Sequence, residues 1–154
     1  MANGLAAWLL EAGCGHQDKV ALYLYNGPQY MQAAYACMKV SLVPVNTNYR
    51  YRDDELAYLW GNSDAAAVVY HAAFDERIAC VRSRCPKVRL WVRVGGQEGA
   101  GPGGTVPYEL AAAPSATTAR APWGRSATGT RCALPRAEDW GALGRRGRRG
   151  GRGC

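Results

Sequence analysis

Residues 18–46, "DKVALYLYNGPQYMQAAYACMKVSLVPVN", decide how this chain folds. Val20–Tyr25 is a continuous apolar run, the pattern of a strand covered on both faces. Asn26-Gly27-Pro28 turns the chain, and Pro28 suits the first position of a helix because its missing N–H is not needed there. Tyr30, Ala33, Ala34, Cys37 and Met38 then repeat at helical spacing and predict one apolar helix face. Ser41–Val45 reads as the next strand, closed by Asn46. A strand, a helix and a strand within thirty residues make a βαβ unit, whose two strands must run parallel.

The pattern continues in both directions. Upstream, Leu5, Trp8, Leu9 and Ala12 fall on one helix face, and Gly13 and Gly15 stop that helix. Downstream, Asp53 or Asp54 caps a helix with Leu56, Leu59 and Trp60 on its apolar face, ended by Gly61-Asn62. Ala65–Tyr70 is a third strand, and Phe74, Ile78 and Val81 mark another helix that Pro86 terminates. Val88–Val94 alternates Val and Leu with Arg and Trp, as a half-exposed edge strand does. The order predicts an α/β fold of βαβ units with a mostly parallel sheet over residues 1–94. Residues 95–113 read as a Gly-rich linker, with six glycines among Gly95–Gly104, followed by a short helix from "VPYELAAA". The linker contains no G-x-G-x-x-G between a strand and a helix, so it is no dinucleotide fingerprint.

Charge divides the chain at the same place. Residues 1–110 hold ten Lys+Arg and ten Asp+Glu, whereas residues 111–154 hold nine Arg and two acids, the whole of the +7 net charge. The basic balance therefore describes the tail and not the body. The six cysteines form no C-x-x-C pair, and with only two histidines, His16 and His71, the spacing does not support a zinc site. Free thiols favour a reducing compartment, and the N-terminus lacks the basic region of a signal peptide. No run approaches the ~18 apolar residues of a transmembrane helix. A cytoplasmic location is expected.

The segment from Asp18 to Ile78 resembles the N-terminal lobe of acyl-CoA synthetases, members of the adenylate-forming ligase superfamily. The resemblance rests on "VALYLYN", on the helix entered through Gly27-Pro28, and on "PVNTNYRYRDDELAYL". "VVYHAAF" and "VPYEL" extend it, so that it covers about residues 5–113. It implies an enzyme that uses ATP and Mg2+ to convert a fatty or other carboxylic acid to an acyl-adenylate with release of pyrophosphate. The acyl group then passes to the thiol of coenzyme A. It also implies that the phosphate-cradling loop with its lysine, the magnesium acid, the ribose aspartate and the mobile lysine all lie downstream of this segment. No catalytic, cofactor-binding or metal residue is assigned here, and the segment alone is expected to be inactive. By the same likeness the chain begins inside a helix of the family pattern rather than before it.

Several residues carry chemistry that composition alone does not explain. His71 lies at the carboxyl end of a strand, where α/β ligand sites form, but without a paired acid or nucleophile it reads as a structural or solvated histidine. Arg50 and Arg52 flank Tyr51 and could hold an anion; pairing of one of them with Asp53, Asp54 or Glu55 is the expectation. Tyr23, Tyr25 and Tyr30 read as core rather than as a stacking platform. Ser126–Thr130, "SATGT", has the composition of a phosphate loop but lacks a following lysine and a preceding strand.

Residues 114–154 read as a disordered tail and, by composition, as an out-of-frame product. From residue 111 onward Ala, Arg, Gly and Pro fill 30 of 44 positions, leaving too little apolar surface to offset the cost of ordering. Codons for these residues are rich in G and C. Reading Ala133–Trp140 one base displaced permits Leu-Tyr-x-Gly-x-x-Thr-Gly, close to the phosphate loop Leu-Tyr-Thr-Gly-Gly-Thr-Thr-Gly that the resemblance leads one to expect there. The alternative is a small α/β module whose "GRRGRRGGRG" run binds nucleic acid through charge alone. No aromatic residue interleaves that run to add base stacking, so no specific nucleic-acid partner is expected.

Overall fold

In a computed structural model, residues 1–97 and 101–114 are described. They hold five helices and five strands, alternating as far as β4: α1 (Ala2–Glu11), β1 (Lys19–Tyr23), α2 (Pro28–Lys39), β2 (Val43–Asn46), α3 (Asp53–Asn62), β3 (Ala65–His71), α4 (Asp75–Val81), β4 (Leu90–Val94), β5 (Val106–Pro107) and α5 (Tyr108–Ala111). Single 3-10 turns at Ala72–Phe74 and Arg82–Arg84 bracket α4. The strands form one sheet in the order β2-β1-β3-β4-β5, and every pairing is parallel. This is the α/β architecture that the βαβ order predicts.

Alternation along the strands feeds two cores. Val20, Leu22, Val69 and Val92 face α1, α2 and α5, while Ala21, Tyr23, Val68, Tyr70 and Trp91 face α3 and α4. β1 and β3 sit at the centre of the sheet and are covered on both faces, which explains their unbroken apolar sequences.

Three readings are corrected by the tertiary arrangement. Val88–Val94 is not an edge: β4 pairs with β5 through Val92↔Val106 and Arg93↔Pro107, and Trp91 is buried. The arginine that suggested solvent is instead neutralised, because Arg93 lies against Asp75 of α4. The edge on the other side is β2, which is only half-buried. Val43 and Thr47 donate their N–H groups to Asp18 and Leu22 on the β1 side, so Pro44 turns its missing N–H to the outer edge. Second, the helix α3 is capped by Arg52 and not by Asp53 or Asp54; the Glu55 carboxylate accepts the Arg52 N–H at 2.8 Å. Third, on α2 Ala36 joins Ala33 and Cys37 as a fully buried side chain, while Met38 is exposed. The short helix expected from "VPYELAAA" is α5, and together with β5 it joins the same sheet and core, with Tyr108, Ala111 and Ala112 buried.

Two arginines tie the Gly-rich connection between β4 and β5 to this body. Arg93 takes both carboxylate oxygens of Asp75 at 2.7–3.0 Å and donates Nη1 to the Gln97 carbonyl at 2.9 Å. Arg82 lies 5.2 Å above the Trp91 ring and donates to the carbonyls of Gly103 and Gly104. α5 is then anchored by Tyr108, whose hydroxyl donates to Gln32 Oε1 on α2 at 2.8 Å. It is also held by contact with α1, where the backbone of Ala112 and Ala113 passes directly over Gly4.

Candidate functional site

In a parallel sheet of this order the crossovers leave β1 in opposite directions, and the gap between the carboxyl ends of β1 and β3 is where ligands of α/β folds bind. Tyr25, just past β1, and His71, the last residue of β3, stand on the two sides of that gap. Their rings lie 5.3 Å apart, and Tyr25 also meets Phe74 at 5.0 Å and Tyr49 at 5.4 Å. Tyr25 and Tyr49 are exposed, so Tyr25 is not the core residue that its apolar run suggests. Tyr23, one step back on the strand, is fully buried and Tyr30 is half-buried.

His71 has a structural part to play. Its Nδ1 accepts the Ala73 N–H at 3.1 Å and caps the 3-10 turn that opens α4. That lone pair is therefore occupied and is no general base. No acid or nucleophile is hydrogen-bonded to the ring among the described residues.

Below the gap, Arg77 of α4 organises the segment that joins β2 to α3. Its Nη1 donates to the Tyr23 hydroxyl at 2.6 Å and to the Tyr51 carbonyl at 2.9 Å, and its Nε lies 3.9 Å from Asp53. The Tyr23 hydroxyl stands 3.2 Å from the carbonyls of both Tyr49 and Tyr51 and shares its proton with them. Burial pushes the Tyr23 phenol above its ordinary range, and the Arg77 guanidinium partly opposes that. Arg77 was not singled out from sequence, because its partners are remote: Tyr23 is 54 residues away along the chain.

Arg50 and Arg52 do not pair with the acids beside them. Asp54 is taken by Arg84 at 2.8 Å and Asp53 by Arg77, while Glu55 is used on the Arg52 backbone. Arg50 instead lies 5.6 Å over the Tyr49 ring. Among the described residues no three His, Cys, Asp or Glu side chains converge to hold a metal ion. Arg77, Arg84, Arg89 and Arg93 each face a carboxylate, so none offers a free guanidinium to a phosphate. Cys14, Cys37 and Cys85 are buried free thiols and Cys80 is an exposed one. Cys132, Cys154 and Ser126–Thr130 lie outside the described residues, as does the displaced-frame window Ala133–Trp140.

The fold is that of the N-terminal subdomain of adenylate-forming ligases. The chain belongs to the family of AMP-binding enzymes, which matches residues 1–117. It is similar to the medium-chain acyl-CoA ligase Mig of Mycobacterium avium, 35% identical over 111 residues, covering 64% of this chain and 20% of that protein. A solved long-chain-fatty-acid-CoA ligase from Archaeoglobus fulgidus superposes with a TM-score of 0.59 at 26% identity, over 63% of this chain and 19% of that one. The acetoacetyl-CoA synthetase of Streptomyces lividans shares the fold, with a TM-score of 0.68 at 21% identity over 76% of this chain and 20% of that one. The chain thus spans about a fifth of the length of the curated relatives it matches. No described helix is long and apolar enough to cross a membrane.

Proposed function

We propose that this chain is the N-terminal segment of an ATP-dependent acyl-CoA synthetase and that it has no ligase activity by itself. The observation that carries the reading is the family match over residues 1–117, joined to a gap whose polar groups are already spent on the fold. His71 caps a turn and Arg77 holds a loop, so this segment is scaffold. In the whole enzyme a carboxylic acid, ordinarily a fatty acid, reacts with ATP to give acyl-AMP and pyrophosphate, and coenzyme A then displaces AMP. ATP, Mg2+ and coenzyme A are held by parts of the ligase beyond this segment. The buried free thiols Cys14, Cys37 and Cys85 suit a cytosolic protein.

The change in charge and aliphatic content near Ala113 supports a further element of this reading: residues 114–154 are translated out of frame from a gene that continues as a ligase. The direct test of function is pyrophosphate–ATP exchange by the purified chain with a panel of fatty acids. Exchange no higher than a heat-killed control is expected, and acid-dependent exchange clearly above it would refute the proposal.

A further inference from the structure

Cys14, Cys37 and Cys85 are buried free thiols, and the fold sorts them by face. Cys85 belongs to the core under α3 and α4, whereas Cys14 and Cys37 share the core under α1, α2 and α5. Parallel strands are all entered from one end, so the α1–β1 and α2–β2 connections lie side by side at the amino ends of β1 and β2. Cys14 closes α1 there, just past the left-handed Gly13, and its N–H donates to the Leu9 carbonyl at 2.9 Å. Cys37 lies in the last turn of α2, where its carbonyl accepts the N–H groups of Val40 at 3.2 Å and Leu42 at 2.9 Å. The two connections are laced together: the Gln17 N–H donates to the Ser41 carbonyl at 2.8 Å, and the Val43 N–H to the Asp18 carbonyl at 2.9 Å. α1 and α2 also pack on each other. The two thiols thus stand at the ends of neighbouring helices in one apolar space, Cys14 4% and Cys37 0% exposed. Burial pushes the Cys37 thiol up to about 12, and Cys14 is close enough to add to that rise.

We propose that Cys14 and Cys37 are a redox-responsive pair that a peroxide closes to a disulfide, fastening the end of α1 to the end of α2. In a reducing compartment the pair stays open. On oxidation the Cys14 thiolate, the more accessible of the two, attacks one oxygen of hydrogen peroxide. The O–O bond breaks, the sulfur becomes a sulfenic acid, and the departing hydroxide combines with the proton the thiol gave up to form water. The Cys37 thiolate then attacks the Cys14 sulfur, so that the S–S bond forms, the S–O bond breaks and a second water leaves. The pair loses two electrons and two protons, and one peroxide becomes two waters. Because the thiolate is the nucleophile and buried Cys37 holds its proton tightly, closure is slow at neutral pH and quickens toward about pH 9. The closed loop takes freedom from the unfolded chain, so the oxidised body withstands more urea.

The test uses the full 154-residue chain with Cys80→Ser, Cys132→Ser and Cys154→Ser, which leaves the three buried thiols. The native protein is treated with hydrogen peroxide at about pH 8, alkylated in denaturant, digested with trypsin and analysed by mass spectrometry without reductant. Trypsin cuts after Lys19 and Lys39, so Cys14 and Cys37 fall in separate peptides, residues 1–19 and 20–39. These two peptides should be recovered joined, from a monomeric product in which Cys85 carries the alkyl group. The urea midpoint should rise on oxidation and return with dithiothreitol. Cys37→Ala should abolish both changes; if circular dichroism shows that variant to be unfolded, Cys14→Ala takes its place and must do the same. Absence of the joined peptides, pairing of either cysteine with Cys85 at comparable yield, or a link made only between chains would overturn the proposal. A joined product with no higher urea midpoint would overturn it equally, since closure would then not fasten the native helices.

Discussion

Replacing Gly4 by alanine sets two effects of opposite sign against each other. Gly4 lies inside α1, where alanine is favoured over glycine by about 1 kcal/mol for its lower backbone entropy cost. An added Cβ there would stand only 2.5 Å from the Ala112 carbonyl oxygen and 2.8 Å from its carbon, and it would overlap the Ala113 oxygen outright. These obstacles are backbone, so no rotamer change relieves them. Either α1 shifts or α5 lifts away, and overpacking of this kind costs about 1–3 kcal/mol. If α5 leaves, Tyr108 loses a buried position worth about 1.5–3 kcal/mol for a large apolar side chain. The clash cancels or outweighs the helix gain, and Gly4→Ala should destabilise the body by up to about 2 kcal/mol net. Gly61→Ala in α3 is the internal control, since an added Cβ meets nothing within 4 Å. It should stabilise by up to about 1 kcal/mol. Urea unfolding followed by tryptophan fluorescence, with the two variants measured side by side, reads both signs. Stabilisation by Gly4→Ala comparable to that of Gly61→Ala would refute the packing of α5 on α1.

Tyr23→Phe removes a fully buried hydroxyl that receives the Arg77 guanidinium, and should cost about 1–3 kcal/mol in the same assay; an unchanged midpoint would mean that Arg77 does not hold the Tyr49–Tyr51 segment. Burial pushes both the Cys37 thiol and the Tyr108 phenol up to about 12, with Cys14 adding to the first and Glu109 to the second. The unfolded chain gives up these protons near their ordinary values of 9.0 and 10.0, so stability should be whole below pH 9 and fall as pH rises toward 12. Unfolding curves that coincide from pH 8 to pH 11 would contradict that burial. Resequencing the gene between the codons for Tyr108 and Cys132 should reveal a single-base slip, with ligase text in the displaced frame; a stop codon there would make the arginine-rich tail genuine coding sequence.

What could be read in the chain was local. A strand covered on both faces, a helix period of 3.6 and glycine or proline punctuation are each written within a few neighbouring residues, so the order of the first four βα elements was legible. The family was legible too, because seven such elements follow one another in residues 5–113 with their wording intact. Long-range pairing was not. Arg93 looked like a solvent residue of an edge strand until Asp75, 18 residues back, was placed against it. Asp53 and Asp54 have arginines beside them in sequence, yet helix geometry turns them toward Arg77 of α4 and Arg84 of the turn after it. Likewise the helical period identified an apolar face on α2 but not that a second apolar stripe lies opposite it, since Met38 fits either side.

By itself, then, the sequence determined a parallel α/β body, its family and the absence of a phosphate-loop signature within residues 1–113, because these depend on near neighbours and on motif spelling. Only the tertiary structure decided which strands are edges, that β5 and α5 complete the sheet and core, and that His71 and Arg77 are spent on the fold. The physical reason is common to all of these. A side chain's role is set by the groups that burial brings to it, and those groups come from distant parts of the chain.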